Sequence, residues 1–133
     1  VYEYNDKFGL HGFVDNVKID HENKIIYFNE LKTTGKHISK FIYEIKNLKY
    51  DLKLAHYTRL LTHLFEDLLS NDYTLEIRLI VIDSYGHLID FLISEETLHK
   101  YIHDYKRHLD DLTESFINAS WKNPTYYKNT IVL

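Results

Sequence analysis

The sequence predicts one α+β domain over residues 1–133, with elements in the order βββ–α–ββ–α, and three observations carry that prediction. Two stretches, one N-terminal and one past the middle, alternate apolar and polar residues as half-buried strands do. Two others space their apolar residues by three and four, the period of an amphipathic helix. The third observation is composition: 44% hydrophobic and 15% aromatic residues with four Gly and one Pro supply one packed core and exclude a disordered chain.

Tyr2 and Tyr4 alternate with polar residues, and Asn5-Asp6-Lys7 makes a turn into a second strand from Phe8 to Ile19 that contains Gly9 and Gly12. His21 to Lys24 is a polar turn, after which Ile25 to about Lys32 forms a third strand, completing an antiparallel meander. Thr33-Thr34-Gly35-Lys36 ends that period. From Ile38 through Leu68 the apolar positions step helically, with one interruption near Asn47 and a stop at Asn71-Asp72. Thr74 to Asp83 reads as a strand, Ser84-Tyr85-Gly86 as a turn, and His87 to Ile93 as its hairpin return. Ser94 caps a last helix with Glu95 and Glu96 in its first turn, where the helix dipole favours them. That helix is expected to stop around Ser120 to Pro124, with Trp121 covering one end of the core.

Function classes fall away quickly. The absence of cysteine excludes disulfides, thiolate metal sites and cysteine nucleophiles, and fits a reducing, cytoplasmic setting. No apolar run reaches the roughly 20 residues of a membrane span, so no membrane partner is expected, and the N-terminus lacks the pattern of a signal peptide. Because the chain starts at Val1 in a strand-like stretch and has no Met, it is read as a fragment lacking an N-terminal helical segment. The net charge of −4 hides an asymmetry: residues 1–31 sum to −3, residues 32–59 to +5 and residues 60–133 to −6. The only basic segment begins at Lys32.

The chemistry-bearing stretch lies just before it. Residues two apart on a strand share a face, so Glu30 and Lys32 align with Ile26 and Phe28, while Asp15 aligns with Phe13 and Val17 on the preceding strand. Antiparallel pairing around the Asp20–Lys24 turn brings Asp15 towards Glu30. Two neighbouring carboxylates repel, and a hard divalent ion, Mg²⁺ or Mn²⁺, relieves that repulsion with oxygen ligands from Asp15, Glu30 and the Leu31 carbonyl. Lys32 beside such an ion serves an attacking water or steadies negative charge on a phosphoryl group. Lys53 and Tyr57, four apart on a helix, and the series Lys46, Lys49 and Lys53 add a positive ledge with Lys32 and Lys36 for a sugar–phosphate backbone.

Gly12-Phe13-Val14-Asp15, then Glu30-Leu31-Lys32-Thr33-Thr34-Gly35, then Lys53-Leu54-Ala55-His56-Tyr57 resemble, in order and on the expected elements, the three motifs of the PD-(D/E)XK nuclease superfamily in its lambda exonuclease and RecB-like branch. The resemblance covers nearly the whole chain, although Lys53 stands where that branch carries Gln. It implies an α/β/α-type, restriction-endonuclease-like core with a mixed central sheet flanked by helices. It also implies a metal-dependent deoxyribonuclease acting in recombination, repair or replication, an exonuclease rather than a restriction enzyme, while the Asn-, Lys-, Ile- and Tyr-rich composition points to an AT-rich genome such as that of a phage or bacterium. Asp15, Glu30 and Lys32 would be catalytic, Asp15, Glu30 and Leu31 would bind the metal, and Lys53, Tyr57, Lys36 and Lys49 would contact DNA. The resemblance leaves a homo-oligomer open.

Bland explanations cover the remaining candidates. Glu44-Ile45-Lys46, Asp51-Leu52-Lys53 and Asp104-Tyr105-Lys106 also fit acid-x-Lys, but helical periodicity points their two charges apart. His99 and His103 read as surface residues without a third ligand, Asp20 and Glu22 as turn residues, and most of the twelve tyrosines as core. His11, in alternation with Phe13 and Asp15, is expected to support the site or face DNA. The alternative function is a non-catalytic DNA-binding or scaffold module that keeps the nuclease fold.

Overall fold

In the computed structural model the described residues are 2–119. They form an α+β domain with a mixed four-stranded sheet. A small hairpin, β1 (Tyr2–Glu3) and β2 (Gly9–Leu10), precedes β3 (Asn16–Asp20) and β4 (Ile25–Thr34); β5 (Thr74–Asp83) and β6 (Leu88–Leu92) complete the sheet. Its order is β3-β4-β5-β6, with β4 parallel to β5 and the outer pairs antiparallel. The parallel pair requires a long crossover, which α1 (Phe41–Asn47), α2 (Tyr50–Leu64) and α3 (Glu66–Leu69) provide; α4 (Glu95–Asn118) follows the sheet.

Alternation decides which face is covered. Ile26, Phe28 and Glu30 on β4 pair in register with Leu75, Ile77 and Leu79 on β5, and this face packs against the helices through Phe41, Ile45, Leu54 and Leu61. A second cluster, Leu10, Ala55, Tyr105 and Leu109, binds α2 to α4 and to the small hairpin. The resemblance implies helices on both faces of the sheet. Among the described residues α1, α2 and α4 share one face, and the other presents Lys18, Tyr27, Asn29, Arg78 and Asp90, with the apolar Leu31, Ile82, Leu88 and Leu92 exposed along it. None of the described helices is long and apolar enough to cross a membrane.

Two expectations give way to particular contacts. The strand expected from Phe8 to Ile19 divides, because residues 11–15 leave the ladder. His56 Nε2 bonds the His11 carbonyl at 2.7 Å, and Gly12 lies so close to Tyr57 that an added Cβ would stand 2.6 Å from its ring. The helical region breaks at Leu48-Lys49, near the expected interruption, with Lys49 in the left-handed conformation at φ 60°. That break ends the supposed Lys46–Lys49–Lys53 stripe, since the three residues no longer belong to one helix. Ser94 Oγ accepts from Thr97 N at 3.2 Å, as a capping serine should. Trp121 and the stop at residues 120–124 lie outside the described residues.

Candidate functional site

The β3–β4 turn sets the site by fixing register. Asp20 accepts from Glu22 N, Asn23 N and Asn23 Nδ2, chiefly the two Asn23 bonds lowering its pKa, and Lys24 closes the turn at φ 54°. The resulting ladder runs to Asn16 opposite Asn29, whose side chains bond at 2.9 Å. Asp15 is the next residue, just beyond the last pair of that ladder. Its Oδ2 accepts from Leu31 N at 3.1 Å. The N–H and C=O of one strand residue point to the same edge, so the Leu31 carbonyl also faces the Asp15 side.

Glu30 is 1% exposed. It lies on the helix-covered face, where an unpaired carboxylate would be costly, and two ammonium groups answer it: Lys32 Nζ stands 3.1 Å and Lys53 Nζ 2.6 Å from Oε1. Tyr50 and Tyr57 hold these cations over their rings, at 5.0 Å from Lys32 and 5.4 Å from Lys53. Burial alone would lower the Lys53 pKa, but the Glu30 carboxylate outweighs it and raises that pKa above the ordinary lysine value. Neither Glu30 oxygen has a hydrogen-bond partner among the described residues; Oε1 is met by the two ammonium groups and Oε2 by none. The cluster therefore has one carboxylate oxygen to spare.

The structure thus joins Glu30 with Lys32, Lys53 and Tyr57, and Asp15 with the Leu31 N–H. Lys53 pairs with Glu30 while its side chain remains 36% exposed. Tyr57 packs edge-on against Phe28, ring centroids 5.8 Å apart, as well as against Gly12. Lys36 pairs with Glu44 at 2.6 Å. Lys49 lines a cleft with Asp51, Asp104 and Arg107 towards α4. His11 contributes its carbonyl, because the segment that carries it is not a strand.

Three features escaped the sequence reading. His56 joins Tyr105 Oη, 2.6 Å from Nδ1, to the His11 carbonyl and so anchors the segment leading to Asp15; only its place inside Lys53–Tyr57 marked it. Asp51, expected on the surface, is 5% exposed because the first turn of α2 is sunk against α4. His37, Asp83 and His87 converge where the end of β5 meets the residues after β4. Asp83 continues the inward parity of Ile77, Leu79 and Val81, which was the available signal.

No family model matches this chain, and no curated protein matches it.

Proposed function

We propose that this chain is a divalent-metal-dependent deoxyribonuclease of the PD-(D/E)XK kind, cutting phosphodiester bonds with an exonuclease's preference for ends. One observation carries the reading. Asp15 accepts from the N–H of Leu31, the neighbour in sequence of a buried Glu30 whose Oε2 has no hydrogen-bond partner among the described residues, and Lys32 pairs with the same Glu30 carboxylate. Carboxylate oxygens from Asp15 and Glu30 together with a strand carbonyl are the ligands that suit a hard cation such as Mg²⁺ or Mn²⁺.

Asp15, Glu30 and the Leu31 carbonyl would hold that ion, which supplies Lewis acidity towards a phosphate oxygen and a more acidic bound water. Lys32 orients the attacking water and offsets negative charge as it builds on the phosphoryl oxygens. Lys53 balances the charge of Glu30 and limits the carboxylate's freedom, while Tyr57 fixes the Lys53 ammonium. A single Arg or Lys exchange elsewhere on the basic segment would alter DNA affinity and its salt dependence more than the chemical step.

A second reading, a non-catalytic DNA-binding or scaffold module, draws on the same cluster, because two lysines already neutralise Glu30 Oε1. Incubating end-labelled linear and closed-circular DNA with Mg²⁺, Mn²⁺ or EDTA, with wild type beside Lys32→Ala, separates the two. Loss of linear DNA alone, dependent on metal and abolished in the variant, supports the exonuclease. Salt-sensitive binding without cleavage under either metal supports the module.

A further inference from the structure

A second cluster stands at the far end of the covered face and belongs to none of this chemistry. Asp83 faces Thr34 across the β4–β5 ladder, four positions beyond the Leu79–Glu30 pair, which is roughly 13 Å along the strands. Its carboxylate is buried and fully engaged: Oδ1 accepts from Tyr85 N at 3.0 Å and His87 N at 2.8 Å, and Oδ2 accepts from Ile38 N at 3.1 Å. His87 Nδ1 lies 2.9 Å from Oδ2. An ionised carboxylate only accepts, so this nitrogen carries the proton of that bond.

His37 reaches the same point from the other segment. Its ring centroid is 5.0 Å from that of His87, and Ser39 fixes the ring through Nδ1, which accepts from Ser39 N at 3.2 Å and lies 2.8 Å from Ser39 Oγ. One ligand atom from each of His37, Asp83 and His87 falls within 4.8 Å of the others. The two segments are joined independently of the side chains in question, by Ser84 N to the Thr34 carbonyl at 3.1 Å and Ser84 Oγ to the Gly35 carbonyl at 3.3 Å. The three groups are therefore already gathered before any ion arrives, which lowers the cost of binding one.

We propose that His37, Asp83 and His87 form a binding site for a zinc-class divalent ion, distinct from the Asp15–Glu30 rim. Two imidazoles and one carboxylate suit Zn²⁺, Co²⁺ or Ni²⁺, whereas Mg²⁺ takes oxygen ligands. The ion takes the place of the Nδ1 proton between His87 and Asp83; in a neutral imidazole that proton is carried on Nε2 instead, and only an imidazolium releases one to solvent. Three protein ligands leave a fourth position for water. Both histidines are exposed, so the ion enters directly from solution. It ties the β5–β6 turn to the connection between β4 and α1, stabilising the folded chain in proportion to metal occupancy.

The test uses the full chain without a histidine tag, stripped of metal and titrated with Co²⁺. The expected result is one equivalent of Co²⁺ with the visible absorption of four-coordinate cobalt, displaced by Zn²⁺, and a rise in Tm on adding Zn²⁺. His37→Ala and His87→Ala each weaken binding by about tenfold or more, while His99→Ala/His103→Ala and Asp15→Asn leave it unchanged. His37→Gln and His87→Gln repeat the test with polar side chains, and equal metal-free Tm values show that folding is intact. Absence of saturable binding at one equivalent, binding that survives both His37 and His87 replacements, or binding lost only in the His99/His103 variant overturns the proposal. Because Asp15→Asn removes the rim chemistry and spares this site, failure of one reading is distinguishable from failure of the other.

Discussion

Lys53 Nζ sits 2.6 Å from Glu30 Oε1, reaching from the second turn of α2 to the middle of β4. The residue that motif likeness assigns to DNA is thus the counter-ion of the residue it assigns to metal. Glu30→Gln consequently costs more than the loss of a surface charge, since it leaves Lys32 and Lys53 beside a neutral amide. The expected destabilisation is about 1–3 kcal/mol in chemical unfolding. Glu30→Gln/Lys53→Met should recover part of it. A strictly additive double-mutant cycle would mean that the pair is not coupled.

Gly12 should not accept a side chain. The added Cβ of Gly12→Ala would meet Tyr57 Cε1 at 2.6 Å, and the ring is itself held by Phe28, so overpacking by about 1–3 kcal/mol is expected. Tyr57→Leu in the same chain should relieve it. An unchanged Tm for Gly12→Ala would show that the segment before Asp15 shifts freely.

His56 acts on the site through the backbone. Replacing it by Ala removes the partner of Tyr105 Oη and of the His11 carbonyl together; leaving such groups unpaired costs about 1–3 kcal/mol. The structure also predicts faster amide exchange in residues 11–15, measured by hydrogen–deuterium exchange. Protection equal to wild type there would remove His56 from the account.

How far the sequence reveals all this depends on the reach of each interaction. The alternation in Thr74–Asp83 gives β5 with the bounds observed, and Ser94 with Glu95 and Glu96 marks the start of α4, because strand parity and helix capping are local. The antiparallel pairing of β3 with β4 is legible for the same reason, since a short turn fixes hairpin register. The split in the second strand is not, because it depends on His56 and Tyr57, more than 40 residues away. Lys53 reads as exposed from its spacing, and only packing α2 on β4 turns it towards Glu30. The meeting of His37 with Asp83 and His87 depends likewise on the parallel β4–β5 pairing.

Asp83 predicts an acid limb of stability in metal-free protein. Burial opposes its ionisation, but bonds from His87 N, His87 Nδ1, Ile38 N and Tyr85 N outweigh that effect and bring its pKa from 3.8 to about 2. A carboxylate with a depressed folded pKa contributes stability that is present above its unfolded pKa and is lost as pH falls through the folded one. Tm should therefore decline between pH of about 4 and about 2, and less steeply in Asp83→Asn. Parallel Tm profiles for the two proteins would contradict the bonding described.

The most direct measurement is the rate at which wild type and Asp15→Asn degrade an end-labelled linear duplex in Mn²⁺. Asp15 is exposed and its carboxylate accepts from the Leu31 N–H, so its replacement by Asn, which keeps an accepting oxygen, leaves the fold in place. The account predicts cleavage by wild type, none with EDTA, and a loss of about a hundredfold or more in the variant, the scale of removing one electrostatic partner from a reaction centre. Cleavage undiminished in Asp15→Asn, or no cleavage by wild type in either Mn²⁺ or Mg²⁺, would contradict it.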